Sequence, residues 1–231
     1  MQKIKKMTTN IKNKQLELLL HDFELLSRTT IIQMQIATKL FNDNTIEILY
    51  EEAESNEIIL DRLEIKIREE AVFTIFQFNP IAADLRKIIT YQDITTNLER
   101  IGDILLNIIH FLKETNLALP EFETIRKQLN KMIEYAGEML RNAIYSFSNE
   151  DSHTAYQVIK EDDKVDDLFH KIALSLQEAF ANRPLNKVEI QSIINTNAIA
   201  YNLERIGDSA TNIAEAAIYL TEGRDIRHGN K

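Results

Sequence analysis

One seven-residue segment occurs twice, unchanged, in this chain of 231 residues. Asn97–Asp103 reads NLERIGD, and the same letters return at Asn202–Asp208, 105 positions later. Solenoid repeats have periods of roughly 20–50 residues, so this offset indicates a duplicated domain. Further matches at the same offset are Asn107-Ile108 with Asn212-Ile213, Glu57 with Asp162, Asp61 with Asp166, and Leu63 with Leu168.

The composition restricts the fold class of the duplicated unit. The chain has only 5 Gly and 3 Pro, whereas sheet folds need frequent turn residues. The three prolines, Pro80, Pro120 and Pro184, each stand where a long helical period ends. The pattern predicts an all-α chain with helices over about 14–41, 45–78, 81–115, 121–147, 151–181 and 185–222. We therefore expect two tandem three-helix bundles, residues 1–118 and 119–231.

The third helix of each bundle carries an apolar seam that predicts which side faces the core. The spacing of four and three places the seam residues on one narrow face. The acidic residues of the same helices lie roughly 180° away and should therefore point outward. The seams are Ile94, Leu98, Ile101, Leu105, Ile108 and Leu112, and Ile199, Leu203, Ile206, Ala210, Ile213 and Ala217.

Paired carboxylates on these outward faces indicate a metal site in each bundle. An i, i+4 spacing places two like charges on one helix face, and their repulsion costs a few tenths of a kcal/mol. A bound multivalent cation would turn this repulsion into a net attraction. An all-carboxylate set suits Fe(III), Mn, Mg or, less selectively, Zn. A solvated acidic face or an acidic partner surface is the alternative. The candidate ligands are Glu57, Asp61, Glu99 and Asp103, and Asp162, Asp166, Glu204 and Asp208.

Gly102 and Gly207 occupy the same place in the two copies, between the Glu and the Asp of the third helix. Glycine inside a helix costs about 1 kcal/mol relative to alanine, so its recurrence calls for a reason. Close packing against a neighbouring helix is one explanation. Room for a ligand beside the carboxylates is the other.

Other classes of function lack residues to support them. There is no Cys, no Gly-rich phosphate loop and no Ser-His-Asp or zincin arrangement, so we expect no enzyme and no organic cofactor. A net charge of -9 repels nucleic-acid backbones, so no nucleic-acid partner is expected. The basic start lacks an apolar segment of the secretory kind, and no apolar run approaches ~20 residues. We expect a cytoplasmic protein without direct membrane insertion; a homodimer stays open.

The repeated segment resembles a known family signature. Leu98–Asp103 and its copy at 203–208 resemble the E-R-x-G-D helix motif of the PhoU proteins, regulators of bacterial phosphate uptake. Ile81–Arg86, after Pro80, is similar to the segment with which their third helix starts. The second bundle lacks this feature and has Glu189-Ile190-Gln191 instead of Asp-Leu-Arg. The resemblance spans about residues 15–220.

The resemblance implies a regulator without known catalysis. Its implied partners are the ATPase subunit of the phosphate ABC transporter and a sensor histidine kinase, through which it restrains the phosphate regulon from the inner face of the membrane. It also implies metal clusters, iron among them, on the eight carboxylates named above. Family members often have Asp at the places of Asn97 and Asn202, and Asp is more usual than Glu57.

Two other readings compete with this one. A carboxylate-bridged iron storage or redox protein would need paired Glu-x-x-His motifs facing inward, and the chain has a single such string, Glu150–His153. A metal-free helical scaffold, accessory to another phosphate permease, is the third interpretation.

Overall fold

Six long α-helices make up the part of the chain that the structure describes. The computed structural model describes residues 2–181 and 183–226, with the backbone alone for residues 2–14 and 16, and these residues contain no β-strand. The prediction of an all-α fold is confirmed, and every helix end but one agrees within two residues. The helices are α1 (Gln2–Asn42), α2 (Glu47–Phe78), α3 (Ala82–Lys113), α4 (Glu123–Ser148), α5 (Ser152–Phe180) and α6 (Lys187–Glu222), with a 3₁₀ turn at Pro120–Phe122.

The exception is the start of α1, which begins at Gln2 and not near residue 14. The predicted start rested on where the apolar pattern sets in. No Gly or Pro precedes Pro80, however, so nothing in the sequence interrupts the helix on its N-terminal side. Although α1 has 41 residues, neither it nor any other helix in the described part of the chain is apolar enough over sufficient length to cross a membrane.

Local interactions fix where several helices begin and end. The Asp151 side chain accepts hydrogen bonds from the His153 and Thr154 amides and so caps α5. At α6 the Asn186 side chain accepts from the Glu189 amide at 3.0 Å, and the Glu189 carboxylate accepts from the Asn186 amide at 2.9 Å, which is a complete capping box. The left-handed φ of 69° at Gly223 ends α6.

Each half of the chain forms a three-helix bundle. Helices α1, α2 and α3 all pack against one another, and so do α4, α5 and α6. The two predicted seams are buried throughout, as expected for residues that face partner helices. The arrangement of two tandem three-helix bundles is therefore confirmed.

The bundles share their core. Helix α3 packs on α6, and α1 on α4, across the boundary between the halves. Three buried rings from α1, α3 and α4 meet there: Phe23 lies 4.7 Å from Tyr91 and 5.4 Å from Phe147, centroid to centroid. The division predicted between residues 118 and 119 falls in the segment that joins α3 to Pro120. That it separates two independent domains stays a prediction.

Candidate metal centres

Two groups of carboxylates lie on the outer surface, one in each bundle. The residues of the first acidic group come from α2 and α3, and those of the second come from α5 and α6. All eight side chains lie outside the apolar core, on the sides that the buried seams leave outward. The first acidic group is Glu57, Asp61, Glu99 and Asp103; the second is Asp162, Asp166, Glu204 and Asp208.

Glu57 is the innermost member of the first acidic group. Both of its carboxylate oxygens are shielded from water, and neither has a hydrogen-bond partner in the part of the chain that the structure describes. Burial raises the pKa of Glu57 to about 8, followed by a hydrogen bond that its protonated form donates to Asp103 and by the charges of Asp103 and Asp61. An ionised carboxylate shielded from water is costly, so this position favours either a proton shared with Asp103 or a cation beside it.

Glu99 completes the first acidic group from α3. Burial raises the pKa of Glu99, and the negative charges of Asp103, Glu64 and Asp61 raise it further. Glu64 is thus a fifth carboxylate at this site, tied to Arg68 by an ion pair of 3.0 Å. It was absent from the predicted ligand set. Its spacing, three residues after Asp61, places it on the same face of α2, but its approach to Glu99 depends on how α2 and α3 are rotated against each other.

The second acidic group has the same arrangement with milder electrostatics. Burial raises the pKa of Asp162 to about 6, followed by the charges of Asp166 and Asp208. Burial also raises the pKa of Glu204, together with the charges of Asp208 and Asp166, while Arg205 and His170 oppose the shift. The Arg205 guanidinium makes this group less repulsive than the first.

The repeated glycines explain how close the carboxylate-bearing helices approach. A Cβ atom at Gly102 would overlap the Cδ1 atom of Leu60 and lie 3.3 Å from the Oε2 atom of Glu57. A Cβ atom at Gly207 would lie 3.2 Å from the Oδ1 atom of Asp162. The space that a side chain would need is filled by residues of the neighbouring helix. Close packing against Leu60 therefore accounts for Gly102, whereas at Gly207 the one close contact is with the Asp162 carboxylate.

The carboxylates do not form a ready coordination sphere. Within the ranges that the structure describes, no three His, Asp or Glu side chains stand together closely enough to hold a metal ion. In a Ca²⁺ or Mg²⁺ site the ligand oxygens lie about 2.0–2.6 Å from the ion, so the carboxylates stand close to one another. Carboxylates this close together repel one another when no cation is present. Side-chain rotation would therefore accompany binding, and Asp61, Asp103 and Asp208 are exposed enough to turn. The all-oxygen donor set and the unpartnered Glu57 fit a hard or borderline cation.

Comparison with known proteins identifies the fold. The family model described as the PhoU domain matches residues 23–112 and again residues 129–217. The chain belongs to the PhoU family. A relative from Aquifex aeolicus, named phosphate-specific transport system accessory protein PhoU homolog, is 33% identical over 83% of this chain and 84% of its own length. Homolog 1 from Thermotoga maritima is also 33% identical, over 75% of this chain and 73% of its own.

Solved PhoU structures superpose on the whole arrangement. PhoU from Pseudomonas aeruginosa matches with a TM-score of 0.83 and 26% identity, covering 92% of this chain and 99% of that one. The PhoU regulatory protein from Streptococcus pneumoniae matches with a TM-score of 0.81 over 93% and 98%, at 20% identity, which supports the fold alone. The recognition of this family from the doubled E-R-x-G-D motif is therefore confirmed.

Both PhoU domains carry Asn where the family resemblance expects further Asp ligands. The Asn97 amide donates to the Asp93 carbonyl at 3.1 Å, and the Asn202 amide donates to the Ala198 carbonyl at 2.9 Å. The Asn202 side chain also accepts from Arg205 at 3.4 Å. Both amides are thus engaged with their own helices. They are poorly placed to add a ligand to either acidic group.

Proposed function

We propose that this protein is a regulatory accessory protein of a phosphate-specific transport system and that it binds multivalent metal ions at the two acidic groups. The single observation that carries the metal assignment is the recurrence, in both PhoU domains, of two pairs of carboxylates brought together from neighbouring helices. Like charges held this close are unfavourable unless a cation joins them. The relatives' names support the assignment to phosphate transport.

The finer role follows the family resemblance. The protein would link the ATPase subunit of the phosphate ABC transporter to a sensor histidine kinase and thereby restrain the phosphate regulon from the cytoplasm. The acidic surface, within a chain of net charge -9, fits basic partner surfaces and not nucleic acid. A bound metal ion would supply positive charge that holds α2 to α3 and α5 to α6. The protein acts through binding, without catalysis.

Elemental analysis tests the metal sites. Protein purified without chelator or affinity nickel is measured beside Asp61→Asn/Asp103→Asn, which disables the first acidic group, and Asp166→Asn/Asp208→Asn, which disables the second. The matched control is Glu47→Gln/Glu51→Gln, an exposed i, i+4 pair on α2 outside both groups. We expect each test variant to lose the metal of one group and the control to lose none. Equal metal content in all four proteins would remove the assignment.

The regulatory role is tested separately, so that the two parts can fail independently. The transporter ATPase subunit and the sensor kinase of the source organism are assayed for binding to the immobilised protein, with and without chelator. Recovery of both supports the adaptor role. Recovery of another phosphate permease instead would favour the scaffold reading, and oxygen-dependent iron uptake would favour an iron storage protein. Neither result depends on the variants used for metal analysis.

A further inference from the structure

A groove between the end of α1 and the start of α4 has a basic lining on an otherwise acidic chain. Its volume is about 570 Å³, which is in the range of sites for small molecules. A second hollow of about 370 Å³ continues from it along the segment that joins α3 to α4, and Phe41, Asn42 and Arg126 line both parts. We call the two parts together the junction groove.

The junction groove lies at one end of the contact between α1 and α4. The two helices run antiparallel, because Phe23 of α1 lies beside Phe147 of α4, with ring centroids 5.4 Å apart, while Phe41 and Arg126 line the groove together. At the end near Phe23 the contact is closed by three packed rings, with Tyr91 as the third. The end near Phe41 remains open.

Three cations of α4 line the junction groove. Arg126 and Lys131 form no hydrogen bond or ion pair with any residue that the structure describes. The Lys127 ammonium lies 2.7 Å from the Glu123 carboxylate, but both side chains are largely exposed, so this pair is weak and can give way to a ligand. The basic lining is specific to α4 and not common to the duplicated unit. The equivalent positions, 105 residues earlier, are His21, Asp22 and Leu26.

The positions of these cations are unfavourable without an anion. Lys127 and Lys131 stand at i, i+4, where like charges repel. Arg126 and Lys127 also lie near the start of α4, the end at which the helix dipole disfavours positive charge. The one carboxylate in the lining, Glu134, accepts a hydrogen bond from the Asn130 amide at 2.7 Å. An anion that contacts all three cations would reverse their repulsion.

The lining favours a ligand with several linked negative charges and an apolar part. Linked phosphates carry multiple charges, and a guanidinium binds phosphate through two parallel hydrogen bonds, whereas a single carboxylate would neutralise only one cation. The Phe41 ring is half-buried against the core, so its free side provides an apolar wall for a flat ring. The Asn42 amide donates to the Thr38 carbonyl at 2.9 Å, which leaves its own oxygen as an acceptor for an amino group.

We propose that the junction groove binds a nucleoside di- or triphosphate. Its phosphates contact Arg126, Lys127 and Lys131, and its base packs on Phe41. The site is independent of the candidate metal centres, because the groove shares no residue with either acidic group.

Calorimetric titration with ATP as the probe tests the site. The full chain is titrated with and without chelator, and we expect one ATP per chain in both cases. Adenosine, inorganic phosphate and a tetraglutamate peptide should each bind at least about tenfold more weakly, because each lacks the linked phosphates, the base or both. No heat of binding at millimolar ATP would overturn the proposal. Binding that chelator abolishes, or a preference for the peptide, would also overturn it.

Removal of two cations tests where ATP binds. Arg126→Ala/Lys131→Ala should weaken ATP binding by about a hundredfold or more, because each hydrogen bond to a charged group contributes about tenfold or more. The matched control is Arg141→Ala/Lys160→Ala, which removes the same charges from exposed positions of α4 and α5 outside the groove. It should bind ATP within about threefold of wild type, since distant charges are screened. Circular dichroism checks that both variants fold. Equal affinities of the two variants would contradict the assignment.

Phe41→Leu separates the contact to the base from the contacts to the phosphates. Leucine keeps the apolar contact with the core but removes the aromatic face. We expect ATP to bind the variant about three- to tenfold more weakly, while pyrophosphate, which has no base, binds the variant and the wild type equally. An equal loss for both ligands, or a loss for neither, would contradict the position of the base.

Discussion

Gly102 lies so close to Glu57 that a Cβ atom on it would stand 3.3 Å from the Oε2 atom of that carboxylate and would overlap Leu60. Gly207 has the same relation to Asp162, at 3.2 Å, but its next contact, Val165 at 3.5 Å, is an ordinary one. The two glycines therefore differ in which neighbour blocks a methyl group.

The first prediction follows from that difference. Gly102→Ala should destabilise the fold by ~1–3 kcal/mol, because Leu60 is fully buried and has no solvent to move into. Gly207→Ala should be neutral or stabilising by up to about 1 kcal/mol, since the half-buried Asp162 can rotate and alanine favours the helix. Urea unfolding of both variants measures the order. A larger loss for Gly207→Ala would show that the α5–α6 contact is the tighter one.

The second prediction concerns the seam of α3. Leu98→Ala or Ile101→Ala should each cost ~2–5 kcal/mol, because both side chains have no exposed surface and their truncation leaves a cavity. Ile194→Ala, on the exposed face of α6, is the control and should change stability by no more than about 0.5 kcal/mol. Denaturant midpoints at constant slope provide the measurement. An unchanged midpoint for Ile101→Ala would mean that the seam does not hold the bundle.

The third prediction is a dependence of stability on pH that originates at Glu57. Its pKa rises from an ordinary 4.5 to about 8 in the folded chain, mainly through burial, so the folded state binds the proton more tightly than the unfolded state. Stability therefore falls as pH increases between these values, and the loss is complete above about pH 8. Asp162, with a pKa of about 6, contributes in the same direction at lower pH.

The test compares melting temperatures in chelator at pH 6.5 and 8.5, where Glu57 still titrates and Asp162 has largely finished. Glu57→Gln should melt at nearly the same temperature at both pH values. Wild type and Glu51→Gln, an exposed change on the same helix, should both lose stability at the higher pH. If the variant and the wild type show the same decrease, the burial of Glu57 is not its source.

The fourth prediction addresses the start of α6. Asn186→Ala removes the side chain that accepts from the Glu189 amide, so it should lower stability by about 1 kcal/mol. Asn186→Gly should cost only a few tenths of a kcal/mol. Thermal unfolding distinguishes the two. Equal losses would indicate that the backbone conformation at residue 186, and not the side-chain hydrogen bond, determines the effect.

Most of the fold could be predicted because local sequence patterns determine where the helices begin and end and which side of each faces the core. The duplicated NLERIGD segment, the seam spacing and the three prolines lead to six helices whose ends fall within two residues of the observed ones, apart from the start of α1. The outward side of the eight carboxylates follows from the seam in the same way. Apolar pattern alone misplaced the N-terminus of α1, because a helix continues where nothing stops it.

Sequence patterns did not predict the contacts between helices that are far apart in the chain. The approach of Glu64 to Glu99 and of His170 to Glu204 depends on how two helices are rotated against each other. Asp22 on α1 is buried and lies 2.6 Å from Lys66 of α2, a pair that no spacing rule indicates. The meeting of Phe23, Tyr91 and Phe147 likewise joins residues far apart in the chain.

Those three rings have a consequence for whether the two halves of the chain can exist separately. Each was supplied by a different helix, two from the first half and one from the second, so severing the connection before Pro120 would leave hydrophobic rings of both fragments facing water. The two fragments, produced separately, should aggregate and be poorly soluble until they are mixed. The two halves of this chain therefore depend on each other to cover their apolar surfaces.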